Sequence, residues 1–279
     1  MQKLDEKKLK DLKIKASKVR QLIIEMLFEA GSGHPAGSLG MADIFTSFYF
    51  HILNHDPKNP KMENRDRLVL SNGHICPGLY AAMAMSGYFP VEELKTLRKI
   101  NSRLQGHPHR TALPGLETSS GPLGEGLSQA IGITLAGNLD KKSYYTYCLT
   151  SDGEHEEGNI WEAVMFAAKN KLHKLIQVID RNYIQIDGST EEVMPLDPLK
   201  EKYESFNWNV IEIDGNNIKD FIQAIEKAKL SKDKPTVIIA KTIPGKGVSF
   251  MENDCRWHGK APNKEETQKA LNELKYAKS

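Results

Sequence analysis

Apolar side chains at Leu9, Leu12, Ala16, Val19, Ile23, Met26 and Leu27 recur mostly at steps of three and four. That period predicts an amphipathic helix over residues 4–30, stopped near Gly31. A glycine-rich segment, residues 32–40, then leads into a second apolar helix through Met41–Phe50. Short β-like runs follow at Leu68–Leu70, Tyr144–Leu149, Leu175–Ile179, Val210–Ile213 and Thr236–Ala240. Residues 124–139, 156–172 and 217–230 read as helices between them. Strands alternating with helices predict an α/β fold, a mostly parallel central sheet with helices on both faces. In such a sheet ligands sit at the carboxyl ends of the strands. The polar and glycine-rich signatures fall there: SNGH, TSDG, DRN and KT with the following PGKG.

Residues 187–207 carry Pro195 and Pro198 without a regular pattern and read as a surface connection. The tail, residues 263–279, can start a helix, because Asn263 and Glu266 have the spacing of a capping box. The whole chain, residues 1–279, is expected to form one domain with that helical tail.

The formal charge of +2, from 38 basic and 36 acidic residues, gives no basic excess for a nucleic-acid partner. Charges interrupt every apolar stretch of the N-terminus, and no run reaches the roughly 18 apolar residues of a membrane span. Three widely spaced cysteines match neither a disulfide framework nor a zinc pattern. The expectation is a soluble, cytoplasmic protein with no membrane or nucleic-acid partner.

The sharpest local signal is SDGEHEEG at 151–158 followed by DRNYIQIDG at 180–188. Asp152 and Asn182 lie 182 − 152 = 30 residues apart, each just after an apolar strand. A carboxylate, an amide oxygen and a backbone carbonyl are hard oxygen ligands suited to Mg²⁺ or Ca²⁺. One carboxylate is too few for a protein-only cage, so a phosphate-bearing ligand is the natural completion. Gly153 would let the backbone approach that phosphate. Taken singly, each segment also reads as an ordinary strand-to-helix turn with a capping side chain.

Four of the nine histidines stand in glycine- or proline-marked loops: His34, His74, His107 and His258. Imidazoles suit proton transfer near neutral pH. His51, His55, His109, His155 and His173 read as solvated side chains. The pair His107 and His109 also raises a zinc site, with the acidic cluster at 154–157 making a zinc hydrolase of it, although no third ligand pattern accompanies them.

With the stretch TSSGPLGEGLSQAIG at 118–132, these loops together resemble the transketolase family, in the right order and over residues 10–262. The pair at Asp152 and Asn182 is similar to that family's thiamine diphosphate motif, with Ser151 replacing its first glycine. The resemblance implies a thiamine diphosphate-binding fold in which Asp152, Asn182 and the carbonyl of Ile184 hold Mg²⁺ (or Ca²⁺). It implies that Gly121, Pro122, Leu123 and Gly124 meet the aminopyrimidine ring, Ile186 the thiazolium, and Gly153 the diphosphate. His74 and His258 would lie along the cofactor, with His258 also near substrate. His34 and His107 would contact substrate hydroxyls and assist proton transfer, and Glu157 would stand at the interface between cofactor sites. Ala36 and His109 depart from the family pattern, the latter at a position bearing on sugar selectivity.

The activity implied is transfer of a two-carbon ketol unit from a ketose or ketose phosphate to an aldose or aldose phosphate, within the pentose phosphate pathway. In the family a second domain contributes the glutamate facing the aminopyrimidine, and this chain stops soon after His258. The expectation is therefore the N-terminal subunit of a split transketolase, active only with a C-terminal subunit, in a heterotetramer. The alternatives are a deoxyxylulose-phosphate synthase-like chain, a specialised sugar transketolase and a non-catalytic cofactor-binding subunit.

Overall fold

The computed structural model describes residues 4–276. Five parallel strands form the central sheet: β1 (Arg67–Leu70), β2 (Thr146–Ser151), β3 (Leu175–Arg181), β6 (Asn209–Asp214) and β7 (Thr236–Lys241). Their spatial order is β1-β2-β3-β7-β6. β4 (Ile184–Gln185) and β5 (Gly188–Ser189) make a separate antiparallel hairpin. Strands β2 and β3 are buried along their whole length, as expected for central parallel strands covered on both faces.

Alternate strand residues feed two cores. Leu68, Leu70, Tyr147, Leu149, Ile176 and Val178 face one. Val69, Cys148, Leu175, Ile179, Val237 and Ile239 face the other. The first is covered by α1 (Glu6–Ala30), α2 (Pro35–Gly40), α3 (Ala42–Ser47), α4 (Cys76–Ser86), α9 (Ile218–Ala228) and α10 (Lys264–Tyr276). The second is covered by α5 (Glu125–Leu139), α6 (Gly158–Lys169) and α8 (Leu199–Ser205), with the short α7 (Thr190–Val193) beyond the hairpin.

Local chemistry sets the helix ends. Asp5 caps α1 by accepting from the Lys8 N–H, and Gly31 closes it at φ 65° with its N–H on Leu27 and Phe28 carbonyls. Asn217 caps α9. The capping box on α10 forms: Asn263 Oδ1 accepts the Glu266 N–H at 2.9 Å, and Glu266 accepts the Asn263 N–H at 2.8 Å.

Three expectations need correction. The glycine-rich segment is not a loop throughout, because Pro35 stands at the first turn of α2, where its fixed φ favours a helix. The helix expected through Phe50 widens into a π turn over Phe48–Ile52. Residues 187–207 are not merely a surface connection, since Leu199 and Tyr203 of α8 are buried. The sequence reading also omitted α4, which is apolar all round and buried on nearly every side, so no 3.6-residue stripe marks it. Among the described residues no helix is long and apolar enough to cross a membrane.

Candidate functional site

The parallel register sets Ser151 beside Asp180, so the turns leaving β2 and β3 emerge side by side. Asp152 follows β2 and is fully buried. Its Oδ2 accepts the Tyr183 N–H at 2.7 Å and faces Arg181 Nη1 at 3.3 Å, while Oδ1 accepts the Gly153 N–H at 2.9 Å. Asn182 Oδ1 accepts the Ile184 N–H at 2.9 Å, and its Nδ2 donates to Asp180 Oδ2 at 2.9 Å. The two side chains picked out by spacing therefore share one corner of the sheet. Burial pushes the Asp152 carboxyl up to about 6, against the pull of Arg181 and the N–H groups of Tyr183 and Gly153.

The donor set fits a hard divalent cation: one carboxylate, one amide and the nearby Ile184 carbonyl. Among the described residues no group of three or more His, Cys, Asp or Glu side chains is arranged to hold a metal. The zinc alternative also loses its parts, because His109 is exposed with Nδ1 on Thr111 Oγ1 at 3.1 Å and Glu154 is buried in bonds of its own. Around Gly153 a Cβ would meet only Gln185 Cβ, at 3.5 Å, so there is space beside this residue, while its N–H is held by Asp152 Oδ1.

Asp180 connects this corner to the end of β7 and to α2, the helix that follows His34. Its carboxylate accepts from Thr242 Oγ1, at the end of β7, and lies 3.8 Å from where a Cβ on Gly37 of α2 would stand. The Gly245 N–H bonds the Ala36 carbonyl at 2.8 Å, drawing the loop that leads to His258 against α2.

Three imidazoles meet there. Ring centroids of His34 and His74 are 5.1 Å apart, and His258 lies 5.4 Å from each. His34 precedes α2, His74 sits in a tight turn after β1, and His258 follows another such turn. His107 stands alongside: a Cβ on Gly73 would lie 3.2 Å from its ring and 2.5 Å from Ser120 Oγ. Desolvation lowers the pKa of all four, helped at His34 and His74 by repulsion from neighbouring imidazoles and, at His34 and His107, by the Arg98 guanidinium. His34 falls to about 4. All four are thus neutral near pH 7 and can donate or accept hydrogen bonds. His34 Nδ1, Ser120 Oγ and both amide atoms of Asn72 are buried without a partner among the described residues, a set that a polar ligand would satisfy.

Two histidines read as solvated are not. His155 is buried, with Nδ1 2.8 Å from the Ser151 carbonyl and Nε2 2.8 Å from Tyr203 Oη. His55 lies between the Tyr49 carbonyl and Tyr88 Oη, stacked on the Tyr88 ring. His51 and His173 are half-buried.

Pro122 and Leu123 are exposed at the tip of the glycine-rich loop before α5, with Gly121 leading into them. Gly124 holds φ 80°, and a Cβ there would fall 2.0 Å from Asn159 Oδ1. Ile186 is exposed at the tip of the β4–β5 hairpin, and Glu157 is exposed at the start of α6. Sequence reasoning missed Ser71, Arg98, Glu154, Asp180 and Arg181. Glu154, Asp180 and Arg181 lay inside the quoted motifs, but nothing in the spacing distinguishes a buried acid from a solvated one.

Residues 12–278 match the family described as transketolase, thiamine diphosphate binding domain. The 6-deoxy-6-sulfo-D-fructose transketolase subunit SqwG of Clostridium sp. (strain MSTE9) is 42% identical over 95% of this chain and 96% of its own length. An apulose-4-phosphate transketolase subunit of Phocaeicola vulgatus is 38% identical over 94% of this chain and 93% of its own length. Among solved structures, transketolase from Leishmania mexicana superimposes with a TM-score of 0.89 at 32% identity, covering 95% of this chain but 41% of that one. The chain thus spans less than half the length of the solved transketolase it matches.

Proposed function

This chain belongs to the transketolase family through its thiamine diphosphate-binding domain, and we propose that it is the cofactor-holding subunit of a two-chain transketolase, transferring ketol units from a ketose to an aldose. When bound, thiamine diphosphate supplies the carbon nucleophile and the electron sink that such a transfer needs. The protein's share is to bind, orient and move protons.

Asp152, Asn182 and the Ile184 carbonyl would hold Mg²⁺, or Ca²⁺, against the diphosphate, with the Gly153 N–H beside it. His74 and His258 would line the cofactor, the loop Gly121–Leu123 would border the aminopyrimidine, and Ile186 the thiazolium. His34 and His107, as neutral imidazoles, can accept a proton from a sugar hydroxyl oxygen and return it. Glu157 would face the neighbouring subunit.

The partner would be a C-terminal transketolase subunit, in a cytoplasmic heterotetramer. Substrates would be sugars or sugar phosphates; two relatives are named for a sulfonated and a phosphorylated sugar. The pentose phosphate pathway is the corresponding metabolic role.

One observation carries this reading: the Asp152–Asn182 corner and the His34–His74–His258 cluster share the carboxyl end of one sheet, with Asp180 packed between Asn182 and the α2 helix that follows His34. The test is reconstitution. The chain alone, with thiamine diphosphate and Mg²⁺, should transfer ketol units at a small fraction of the rate reached after adding a C-terminal subunit. Full turnover by the chain alone would refute the two-chain reading.

A further inference from the structure

Glu154 is fully buried, and every partner it has is a hydrogen-bond donor. Oε1 accepts from Ser71 Oγ at 2.5 Å and from the Gly124 N–H at 2.8 Å. Oε2 accepts from the Ser151 N–H at 2.8 Å. Ser71 in turn accepts the Gly126 N–H at 3.1 Å through the same hydroxyl. These donors come from three separate segments, two loops and the end of β2. Ser71 opens the turn that carries Asn72 and His74; Gly124 closes the loop Gly121–Leu123; and Ser151 immediately precedes Asp152. The approach is tight, since a Cβ on Gly126 would stand 2.4 Å from Ser71 Cβ.

A carboxylate offers acceptors only, which is what three donors require. It also sits at the N-terminus of α5, where negative charge is favoured. An amide in its stead would turn an NH₂ group toward at least one N–H or O–H, leaving a buried donor unsatisfied. Isolated burial of a carboxylate is costly, so its retention needs all three donors at once.

We infer that Glu154 is a positioning residue for cofactor binding: it locks the metal turn, the aminopyrimidine loop and the His74 turn into one rigid frame. Both carboxylate oxygens are taken up by protein donors, so it would act through the segments it joins. This inference rests on the cofactor assignment made above and adds the residue that fixes its geometry.

The test uses the two-chain complex and titrates thiamine diphosphate by calorimetry at fixed Mg²⁺. Wild-type complex must bind; a wild-type failure would sink the cofactor assignment itself rather than the role of Glu154. E154Q should weaken thiamine diphosphate binding on the order of tenfold or more, as losses of supporting contacts around bound ligands do. In turnover the apparent KM for thiamine diphosphate should rise while kcat at saturating cofactor changes less. If E154Q does not fold, S71A tests the same frame: it removes one donor to Oε1 and the acceptor for Gly126, and should weaken binding several-fold. A lowered melting temperature with cofactor affinity within twofold of wild type, in whichever variant folds, would overturn the positioning role and leave Glu154 as ordinary packing.

Discussion

The backbone N–H of Tyr183 donates to Asp152 Oδ2 at 2.7 Å, across two loops that are 31 residues apart in sequence. Tyr183 holds a left-handed backbone, φ 62°, and its ring lies 4.0 Å from the Arg181 guanidinium. Arg181 itself spans from Asp152 to Thr190, Glu191 and Asp197. Asp152 is thereby aimed before any ligand contact is considered, which is the condition a precise metal site needs.

Asp152→Asn should keep the fold, because Arg181 retains Glu191 and Asp197 as partners. The charge that a divalent cation needs would be gone. Mg²⁺-dependent tightening of thiamine diphosphate binding should fall more than about tenfold. A calorimetric Mg²⁺ titration at fixed thiamine diphosphate reads this directly, and unchanged Mg²⁺ dependence would remove Asp152 from the ligand set.

Gly124→Ala combines a strained backbone at φ 80° with a Cβ 2.0 Å from Asn159 Oδ1. It should cost about 1–3 kcal/mol of stability. Adding Asn159→Ala relieves the collision but not the backbone strain, so the double variant should recover only part of the loss. Urea unfolding of both variants distinguishes the two contributions.

His34 titrates at about 4 in the folded chain, against an ordinary value of 6.5. Between those values the unfolded state binds more protons. Stability should therefore rise with pH across that window, with the full contribution present above 6.5 and lost as pH falls toward 4. His34→Gln should show a shallower rise. Unfolding midpoints compared on either side of the window give the answer, and identical slopes for both proteins would contradict it.

Asp43 pairs with Arg20 at 2.5 Å under α2 and also accepts from Asn216 at 3.1 Å. Asp43→Ala would strand a buried guanidinium, and should cost about 3–5 kcal/mol. Thermal or urea unfolding measures it. A loss below about 1 kcal/mol would mean that the pair behaves as a solvated surface contact.

The sheet was legible because its strands are short apolar runs between helices of clear period, and those signals are local. Asp152 and Asn182 were legible for the same reason: each stands three residues beyond the end of such a run. What escaped were groups whose meaning depends on distant partners. His155 looked like a solvated member of an acidic loop, yet Tyr203, 48 residues away, closes over it. α4 was invisible because burial on nearly every side erases amphipathic period.

By itself the sequence determined the strand order along the chain and set Asp152, Asn182 and the four marked histidines in turns and loops, because spacing along a strand–helix repeat dictates which ends fall at one edge. Only the tertiary structure decided which polar side chains lose their water. Desolvation made Glu154 a buried tie between three segments, drew Arg181 onto Asp152 and kept His34 neutral, and it is a property of packing between segments that no local pattern encodes.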